Sequence, residues 1–488
     1  MVSWYNASDS DFWLRGVLGL LQAKFAHELP KRSPMKFNNP SPAHSQLERI
    51  RVLPGRFRLA GVIGILSVVF PLSGCHRPSQ EPVTLTFIDA EGMHDVKSRK
   101  LVMDQALQEF TLQTGIKVNY LPAPENNRDK LALDRKLLQE ESATPDVYGV
   151  DTIWTGMLSD YLVDLEPYFS SELASEDPAL LAGYKSQGKQ VAMPFHATVG
   201  VLYYRTDLLH RYGYSAPPRT WDELEKMAVR IQAGERARGE KDFWGFVWPG
   251  IADEGLICNG LEWQMDEGGG RIVEDDKKIS VNNPATIRAW ERAAHWVGWI
   301  SPPGVVSYEQ WDTYNTFWVS GKAAFIPGWS NYFLSYPPQS PFRDRAGVTS
   351  VPGGSSARVG TLGGMGLAVS RFSVHRPEAI KLVSFLTHRE AQLQANRVLA
   401  GPPADPEIYE LPDVLLKSYP MLAKPGQRPG ANEVSRPSAV TGKAYDDVDQ
   451  AYIQAVHSVL TGESKAGEAA ASLEKKLVKI TGFETAHR

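Results

Sequence analysis

The sequence predicts an α/β fold with a mainly parallel sheet, and three observations support it. Between residues 83 and 150, short segments with strand character alternate with longer segments whose apolar residues recur at helical spacing. This alternation is typical of βαβ units. The 488 residues are 42% hydrophobic and 22% charged, as in globular proteins of two or more domains. No internal repeat or low-complexity tract argues for another architecture.

The first five elements place one acidic residue at a strand end. The predicted order is a strand at 83–88, a helix at 97–114, a strand at 116–121, a helix at 129–141 and a strand at 145–150. Gly115 suits the end of the first helix. Ligands of open parallel sheets bind at the carboxyl ends of the strands, so Asp151 is a candidate ligand contact. Asp151 also suits the N-cap of a following helix, and the two roles are compatible.

The later elements alternate in the same way. A capping box at 220–223 begins a helix to about residue 234, and Asn283-Pro284 begins another that runs through Trp299. Further helices are predicted at 311–320, 377–388, 389–400, 445–461 and 465–480, and further strands at 323–326, 347–351 and 366–369. The segment 401–432 is a loop rich in Pro and Gly.

The N-terminal region has the pattern of a lipoprotein signal. Residues 49–58 are basic, residues 59–72 are apolar, and Leu72-Ser73-Gly74-Cys75 resembles a lipobox. The apolar run is shorter than the roughly 20 residues of a membrane-spanning helix. A plain signal peptide, or an uncleaved anchor with a chance cysteine, remains the alternative. The predicted division is 1–58 as an extension and basic region, with Met35 as an alternative start, 59–74 as the signal and 75–82 as a tether.

Cysteine use and charge exclude several function classes. Acylation of Cys75 would leave Cys258 alone, so we expect no disulfide. The net charge of −4, without long like-charge blocks, argues against nucleic acid as a partner. No CxxC, GxSxG or HExxH motif occurs, and Gly-Gly-Met-Gly at 363–366 lacks the Lys-Ser/Thr of a phosphate loop. The sequence therefore predicts neither an enzyme nor a bound metal or cofactor.

The middle of the chain carries a family resemblance. The matching segments are 146–151, 202–209, 211–214, 217–224, 231–236, 243–248, 254–258, 321–325, 328–329 and 362–364. In this order and spacing they resemble the family 1 extracellular solute-binding proteins, and most closely the trehalose/maltose-binding receptors. The resemblance covers essentially all of residues 83–480.

The resemblance implies a two-lobed clamshell of the periplasmic-binding-protein type, similar to type II, with the ligand between the lobes. Residues 83–194 plus about 362–400 would form lobe I, and residues 195–361 plus parts of 401–488 would form lobe II and the closing helices. The chain would cross between lobes near 193–199 and 359–365, and the lobes would close by a hinge motion. The implied protein is a monomer that docks on ABC permease subunits, in the periplasm or at the cell surface, and is attached to the membrane through Cys75.

The resemblance also implies a sugar site, in which aromatic rings stack on sugars and charged groups bind hydroxyls. Asp151 and Trp329 match such a carboxylate and such a tryptophan. His196 and Thr198 stand where these receptors carry an aromatic residue and an Asp, and Met365 replaces the Trp that follows Gly363-Gly364. Three further implied contacts fall near Arg99, at Lys130 and near Ala404-Asp405.

Simpler roles compete for these residues: core packing for Trp329, partial burial without ligand contact for His196, and solvated helix faces for Arg99 and Lys130. Trehalose or maltose binding therefore does not follow from the resemblance. The function expected from the sequence is a substrate-binding lipoprotein of an ABC sugar importer, with the saccharide unidentified. A solute-sensing receptor with a repurposed pocket and a carbohydrate-active enzyme are the alternatives.

Overall fold

The computed structural model describes the chain from residue 82 onward, with gaps. The described residues are 82–89, 96–124, 127–173, 176, 178–331, 340–354, 358–399, 408, 411 and 433–486. The predicted signal at 59–74, Cys75, nearly all of the tether and Ala404-Asp405 lie outside them, as does the side chain of Arg99. All described residues belong to the unit Pro78–Arg488.

The first half of the fold follows the predicted alternation. Its elements are β1 (Thr84–Ile88), α1 (Val96–Thr114), β2 (Lys117–Leu121), α2 (Asn127–Gln139), β3 (Val147–Asp151), α3 (Thr155–Leu158), α4 (Ser170–Leu173), α5 (Pro178–Gly183), β4 (Lys185–Ser186), β5 (Lys189–Gln190) and β6 (Met193–Arg205). Gly115 ends α1 with a φ of 74°, a left-handed conformation that glycine adopts without strain. The strand and helix predictions for this half are confirmed to within a few residues.

The remaining elements complete a second half and return to the first. They are α6 (Thr206–Arg211), α7 (Trp221–Ala237), β7 (Trp244–Phe246), α8 (Glu254–Asp266), α9 (Pro284–Trp296), α10 (Gln310–Tyr314), β8 (Ala323–Trp329), β9 (Ala346–Ser350), β10 (Gly360–Val369), α11 (Arg376–Thr387), α12 (Arg389–Leu399), β11 (Glu433–Ser435), α13 (Ser438–Thr441), α14 (Tyr445–Leu460) and α15 (Ala466–Thr481). A π-helical turn, Asn315–Val319, continues α10.

The capping box predicted at the start of α7 is only half formed. Thr220 Oγ1 accepts the N–H of Glu223 at 3.2 Å, as predicted. The Glu223 carboxylate, however, accepts the N–H of Arg219 at 2.7 Å rather than that of Thr220. The helix still begins where the sequence indicates, because the threonine cap alone satisfies a terminal N–H.

The sheet is mixed, which corrects the prediction of a mainly parallel one. Nine of the strands in the described residues form one sheet, in the order β2-β1-β3-β10-β6-β8-β7 with β11 beside β10 and β9 beside β6, and β4 and β5 pair separately. β1 is parallel to β2 and β3, but β10 is antiparallel to β3 and β6. β10 reaches this place from the far half of the fold, so it runs back against the βαβ strands. Local periodicity carries no information about that return.

β6 joins the two halves of the sheet. Its first part, from Met193 to Val199, pairs with β10, and its second part, from Gly200 to Arg205, pairs with β8 and β9. The first half has cores around Phe87 and Tyr148, whereas the second half has its own core. Separate cores on one shared strand are what a two-lobed α/β fold requires. The exact lobe boundaries stay a prediction.

Tryptophans dominate the core of the second half. Trp263 packs edge-on against Trp248 at 5.2 Å and against Trp296 at 5.6 Å between ring centroids. Such edge-to-face pairs add about 0.5–1.5 kcal/mol each beyond burial. The helix predicted to run through Trp299 ends at Trp296, and Trp299 is 38% exposed beside His295. In the described part of the chain, the helices lack the length and apolarity needed to cross a membrane.

Candidate functional site

Three adjacent strands bring most of the predicted site residues together. On β10, Met365 lies opposite Asp151 of β3 on one side and opposite His196 of β6 on the other. Gly363 lies opposite Thr198 in the same register. Residues widely separated along the chain thus meet at one level of the sheet, where β3 ends.

Trp329 joins this group from β8, and Gly363 makes room for it. Trp329 is the last residue of β8 and pairs with Gly200. A Cβ on Gly363 would lie 2.9 Å from the Trp329 ring and 2.8 Å from Thr198 Oγ1, so only glycine permits this approach. The hydroxyl of Tyr203 donates to the Trp329 carbonyl at 2.7 Å and fixes the backbone that carries the indole.

Gly364 is required by the backbone itself. Its φ of 145° lies in a region that residues with a Cβ rarely adopt, and a Cβ there would be 2.4 Å from the His196 carbonyl oxygen. The strand register shifts just after Met365, between Met365 and Gly366. The two glycines therefore shape the strand at the site.

Asp151 caps the turn that follows its strand. Its carboxylate accepts the N–H of Ile153 and the hydroxyl of Thr152, both at 3.1 Å. The predicted N-cap role is therefore present, on a short 3₁₀ turn, Thr152–Trp154. The same Oδ1 atom lies 3.8 Å from Arg436 Nη2, so this carboxylate also faces a cation.

Arg436 is a candidate site residue that the sequence analysis missed. Its side chain is 3% exposed, its guanidinium carbon lies 5.8 Å from the centroid of the Trp329 ring, and it pairs with Glu254 at the start of α8. Its Nε has no hydrogen-bond partner among the described residues. Burial disfavours the charged guanidinium, but the surrounding acidic groups, Glu254 foremost, outweigh this and hold the pKa of Arg436 well above its ordinary value.

The side chains of the site fall into a buried group and a partly buried group. Asp151, Thr198 and Met365 are buried, whereas His196 and Trp329 are only partly buried. The site therefore offers one aromatic face, one imidazole and a charged pair, on a floor of small or apolar residues. Such a set can stack an apolar ring face and form charged hydrogen bonds to hydroxyls.

Lys130 is a correction to the sequence analysis, because it is fully buried rather than solvated. It forms an ion pair with Asp134 one turn later and donates to the Gly149 carbonyl at 3.3 Å. Burial lowers the pKa of Lys130 and raises that of Asp134 to about 6. α2 turns this polar pair toward the sheet behind β3, since residues four apart share one helix face.

No group of three or more His, Cys, Asp or Glu side chains in the described ranges could hold a metal ion. Cys258 has a free thiol and is buried in α8. Burial raises its pKa well above the ordinary thiol value, so the thiol stays protonated at neutral pH.

Comparisons with known proteins agree with this picture. A family model described as bacterial extracellular solute-binding protein matches residues 98–393. A probable ABC transporter-binding protein of Deinococcus radiodurans is 36% identical over 429 residues, covering 87% of this chain and 99% of that protein. A putative binding protein of Brucella abortus is 27% identical over 208 residues, covering 42% of this chain and 48% of that protein.

Solved structures share the fold over most of the described chain. Maltose-bound MalE3 of T. maritima superposes with a TM-score of 0.70 at 28% identity, covering 82% of this chain and 100% of that one. The GacH receptor of Streptomyces glaucescens, solved unliganded and with acarbose, gives 0.69 at 21% identity, covering 83% and 100%. Both are two-lobed binding proteins, so the predicted α/β clamshell is confirmed.

Proposed function

The chain belongs to the bacterial extracellular solute-binding proteins, and on that premise we propose that it is the saccharide receptor of an ABC importer. It binds its sugar between the lobes and delivers it to permease subunits in the membrane. Family membership implies a periplasmic or cell-surface location. The name of the Deinococcus relative and the maltose in the T. maritima structure support both parts of the proposal.

One observation carries the choice of ligand class: Asp151, Arg436 and Trp329 converge at the strand ends. A carboxylate and a guanidinium together bind both donor and acceptor hydroxyls of a sugar, through charge-assisted hydrogen bonds. The partly buried indole offers a flat face to the C–H surface of a pyranose ring. The buried Nε of Arg436 is a donor ready for a ligand oxygen.

The other predicted site residues take supporting roles in this proposal. His196 contacts the ligand beside Trp329, while Thr198 and Met365 form a wall that is 8% and 4% exposed. Gly363 and Gly364 hold the strand in the shape that admits the indole. The Thr198 hydroxyl and the Met365 thioether bind a disaccharide more weakly than the carboxylate and indole that they replace. We therefore expect weak trehalose and maltose binding.

The remaining proposals concern what surrounds the site. The matched family consists of binding proteins, and we propose that this chain likewise transforms nothing. We further propose that it acts as a monomer, with lobe I formed by 83–194 plus about 362–400 and lobe II by 195–361 plus parts of 401–488. Cys75 carries the lipid anchor, after removal of 59–74 as a signal.

Calorimetric titration against a panel of mono-, di- and oligosaccharides tests the function. We expect at least one saccharide to bind with a micromolar Kd or tighter, trehalose and maltose to bind weakly, and chromatography to recover the ligand unchanged. A panel without any binder, or hydrolysis of the bound sugar, contradicts the proposal. Loss of uptake on gene deletion separates an import receptor from a sensor, whose deletion would leave uptake intact.

A further inference from the structure

A cavity of about 860 Å³ lies beside the core around Phe87, between α1 on one side and α11 and α12 on the other. Its lining residues on α1 recur from Val102 to Thr114 at helical spacing, so the cavity follows about 18 Å of this helix. Cavities of this volume hold small organic ligands. The lining shares no residue with the group at Asp151 and Trp329, so the cavity is a second candidate site.

The walls of this cavity are mainly apolar, and its rim is polar. Phe110 of α1 packs against Phe385 of α11 with 5.4 Å between ring centroids, and both rings line the cavity. The glutamate, lysine and histidine side chains of the lining are exposed: Glu109, Lys381, His388 and Glu390. A sugar against these walls would leave hydroxyl groups without hydrogen-bond partners, which is costly, whereas a hydrocarbon chain has no such groups. The walls therefore suit an aliphatic ligand.

The length and the charge of the cavity favour an acyl chain with an uncharged end. The acyl chains of one leaflet span roughly 15 Å, half of the hydrocarbon core of a bilayer, which is close to the length of α1 that lines the cavity. At the rim two glutamates, Glu109 and Glu390, outnumber Lys381, which disfavours the carboxylate of a free fatty acid. An acyl chain joined to glycerol through an ester carries no such charge.

The described chain begins beside this cavity. Val83 packs against the same apolar cluster as Phe110, and its carbonyl accepts the N–H of Lys117 at 2.9 Å. Lys117 comes three residues after Thr114, the last residue of α1, which lines the cavity. Cys75, the predicted lipidation site, precedes Val83 by eight residues, which span at most about 29 Å when extended. A lipid on Cys75 is therefore within reach of the cavity.

We propose that the cavity binds one acyl chain of the lipid on Cys75 of the same molecule. The start of the described chain beside the cavity, together with the apolar walls, supports this choice of occupant. The other acyl chains on Cys75 stay in the bilayer and hold the protein there. A chain bound in the cavity brings this face of the protein to the membrane surface and fixes its orientation. The inference rests on the proposed lipidation of Cys75 and does not depend on which sugar binds.

Photocrosslinking with a diazirine-bearing palmitate tests this inference. Cells that express the full chain from its own signal are fed the probe and irradiated, and crosslinked peptides of the monomeric protein are identified by mass spectrometry. We expect the lipid on Cys75 to be joined to residues 102–114 or 380–394. A lipid on Cys75 that is crosslinked only to membrane components overturns the inference. A probe on the lining residues that is not attached to Cys75, or a Cys75 without lipid, overturns it as well.

Two variants fill the cavity from opposite sides, Ala106→Trp from α1 and Ala391→Trp from α12. Each should lose the crosslinks to the lining and keep the lipid on Cys75, with circular dichroism as the check on folding. Gln108→Trp is the matched control, because Gln108 is exposed on α1 and does not line the cavity, so its crosslinks should persist. Crosslinks that persist in a folded cavity-filling variant overturn the inference. The proposed function is decided separately, by the saccharide panel.

Discussion

At the residue scale, Arg436 is the centre of the proposed site. It stands between Asp151, at the end of a strand of the first half, and Glu254, at the start of a helix of the second. Two carboxylates around one buried guanidinium offset the cost of burying its charge. A ligand hydroxyl between Asp151 and Arg436 would therefore meet groups that are already oriented, which reduces the ordering cost of binding.

Asp151→Asn separates the capping role of this residue from its role in binding. Asparagine caps helical turns about as well as aspartate, so the variant should fold normally. It loses the negative charge that strengthens hydrogen bonds to ligand hydroxyls, a loss of about 1.5 kcal/mol or roughly tenfold in Kd. Calorimetry with the saccharide that the panel identifies measures the change.

Asp164→Asn is the control for Asp151→Asn. Asp164 Oδ1 also accepts two backbone N–H groups, those of Glu166 at 3.1 Å and Gln190 at 3.2 Å, away from the site. Its replacement should leave the Kd unchanged. An unaltered Kd for Asp151→Asn would mean that Asp151 serves only as a cap.

The sequence could predict part of this site. Asp151 was predicted because it stands at the carboxyl end of a strand, and Trp329 was predicted from the family resemblance. The sheet brings both residues to one place. Arg436 was missed because it follows a three-residue strand and a patternless loop, and only tertiary packing brings it to Asp151. Lys130 was misplaced because a charged residue on a helix is ordinarily solvated, whereas here Asp134 shares its buried face.

At the element scale, α8 binds the start of β10 through two buried carboxyl groups. Glu262 accepts the N–H of Thr361 at 2.9 Å, and Asp266 accepts that of Val359 at 2.8 Å. Gly200 on β6 leaves the space for Glu262, since a Cβ there would be 1.9 Å from its Oε1. One helix thus holds the start of β10 beside β6, at the level where the predicted crossings between lobes occur.

These carboxyl groups give the fold a pH dependence. The pKa of Asp266 is raised to about 9, mainly by burial and also by the Glu262 carboxylate, against the lowering effects of the Val359 N–H and the Arg358 guanidinium. Burial raises the pKa of Glu262 to about 7. In the unfolded chain both titrate near pH 4. Between pH 4 and these raised pKa values, the folded state binds more protons than the unfolded state. The stability that the two protonated carboxyl groups contribute is therefore complete below about pH 4 and falls as the pH rises toward 9.

Asp266→Asn should remove much of that dependence. The amide oxygen still accepts the Val359 N–H, but no buried charge forms at high pH. We expect the denaturation midpoint of the variant to exceed that of the wild type at pH 8.5, and the difference to shrink at pH 5. Asp276→Asn, at a carboxylate whose side chain is 58% exposed, should show no such trend. A difference independent of pH would contradict the buried-carboxyl explanation.

Sequence periodicity predicted the positions of helices and strands better than it predicted which strands pair and in which direction. The βαβ order of the first half and most helix positions were correct, because local patterning and caps determine them. The direction of β10 was not predictable from its apolar residues, which fit a parallel and an antiparallel neighbour equally well. The break of α10 into a π-helical turn at Asn315 likewise has no local signal.

At the scale of the whole molecule, two halves with separate cores share β6 and β10. Strands that pass between two packed units keep them attached and can serve as a hinge between them. The proposed site at Asp151 and Trp329 lies at this junction, so a ligand bound there would contact both halves. Closure around a ligand would then be driven by contacts that neither half makes alone.

The last prediction concerns the attachment of the whole molecule to a membrane. If Cys75 is lipidated, the protein expressed from its own signal should partition into the detergent phase of a Triton X-114 separation. Each buried CH₂ contributes about 0.8 kcal/mol, so several acyl chains on one cysteine anchor firmly, whereas a single chain binds only marginally. Cys75→Ala should move the protein to the aqueous phase. Cys258→Ala is the matched control: its thiol is buried in α8, so partitioning should stay as in the wild type. Wild-type protein in the aqueous phase, with an unmodified N-terminus by mass spectrometry, would contradict the anchor and favour a plain signal peptide.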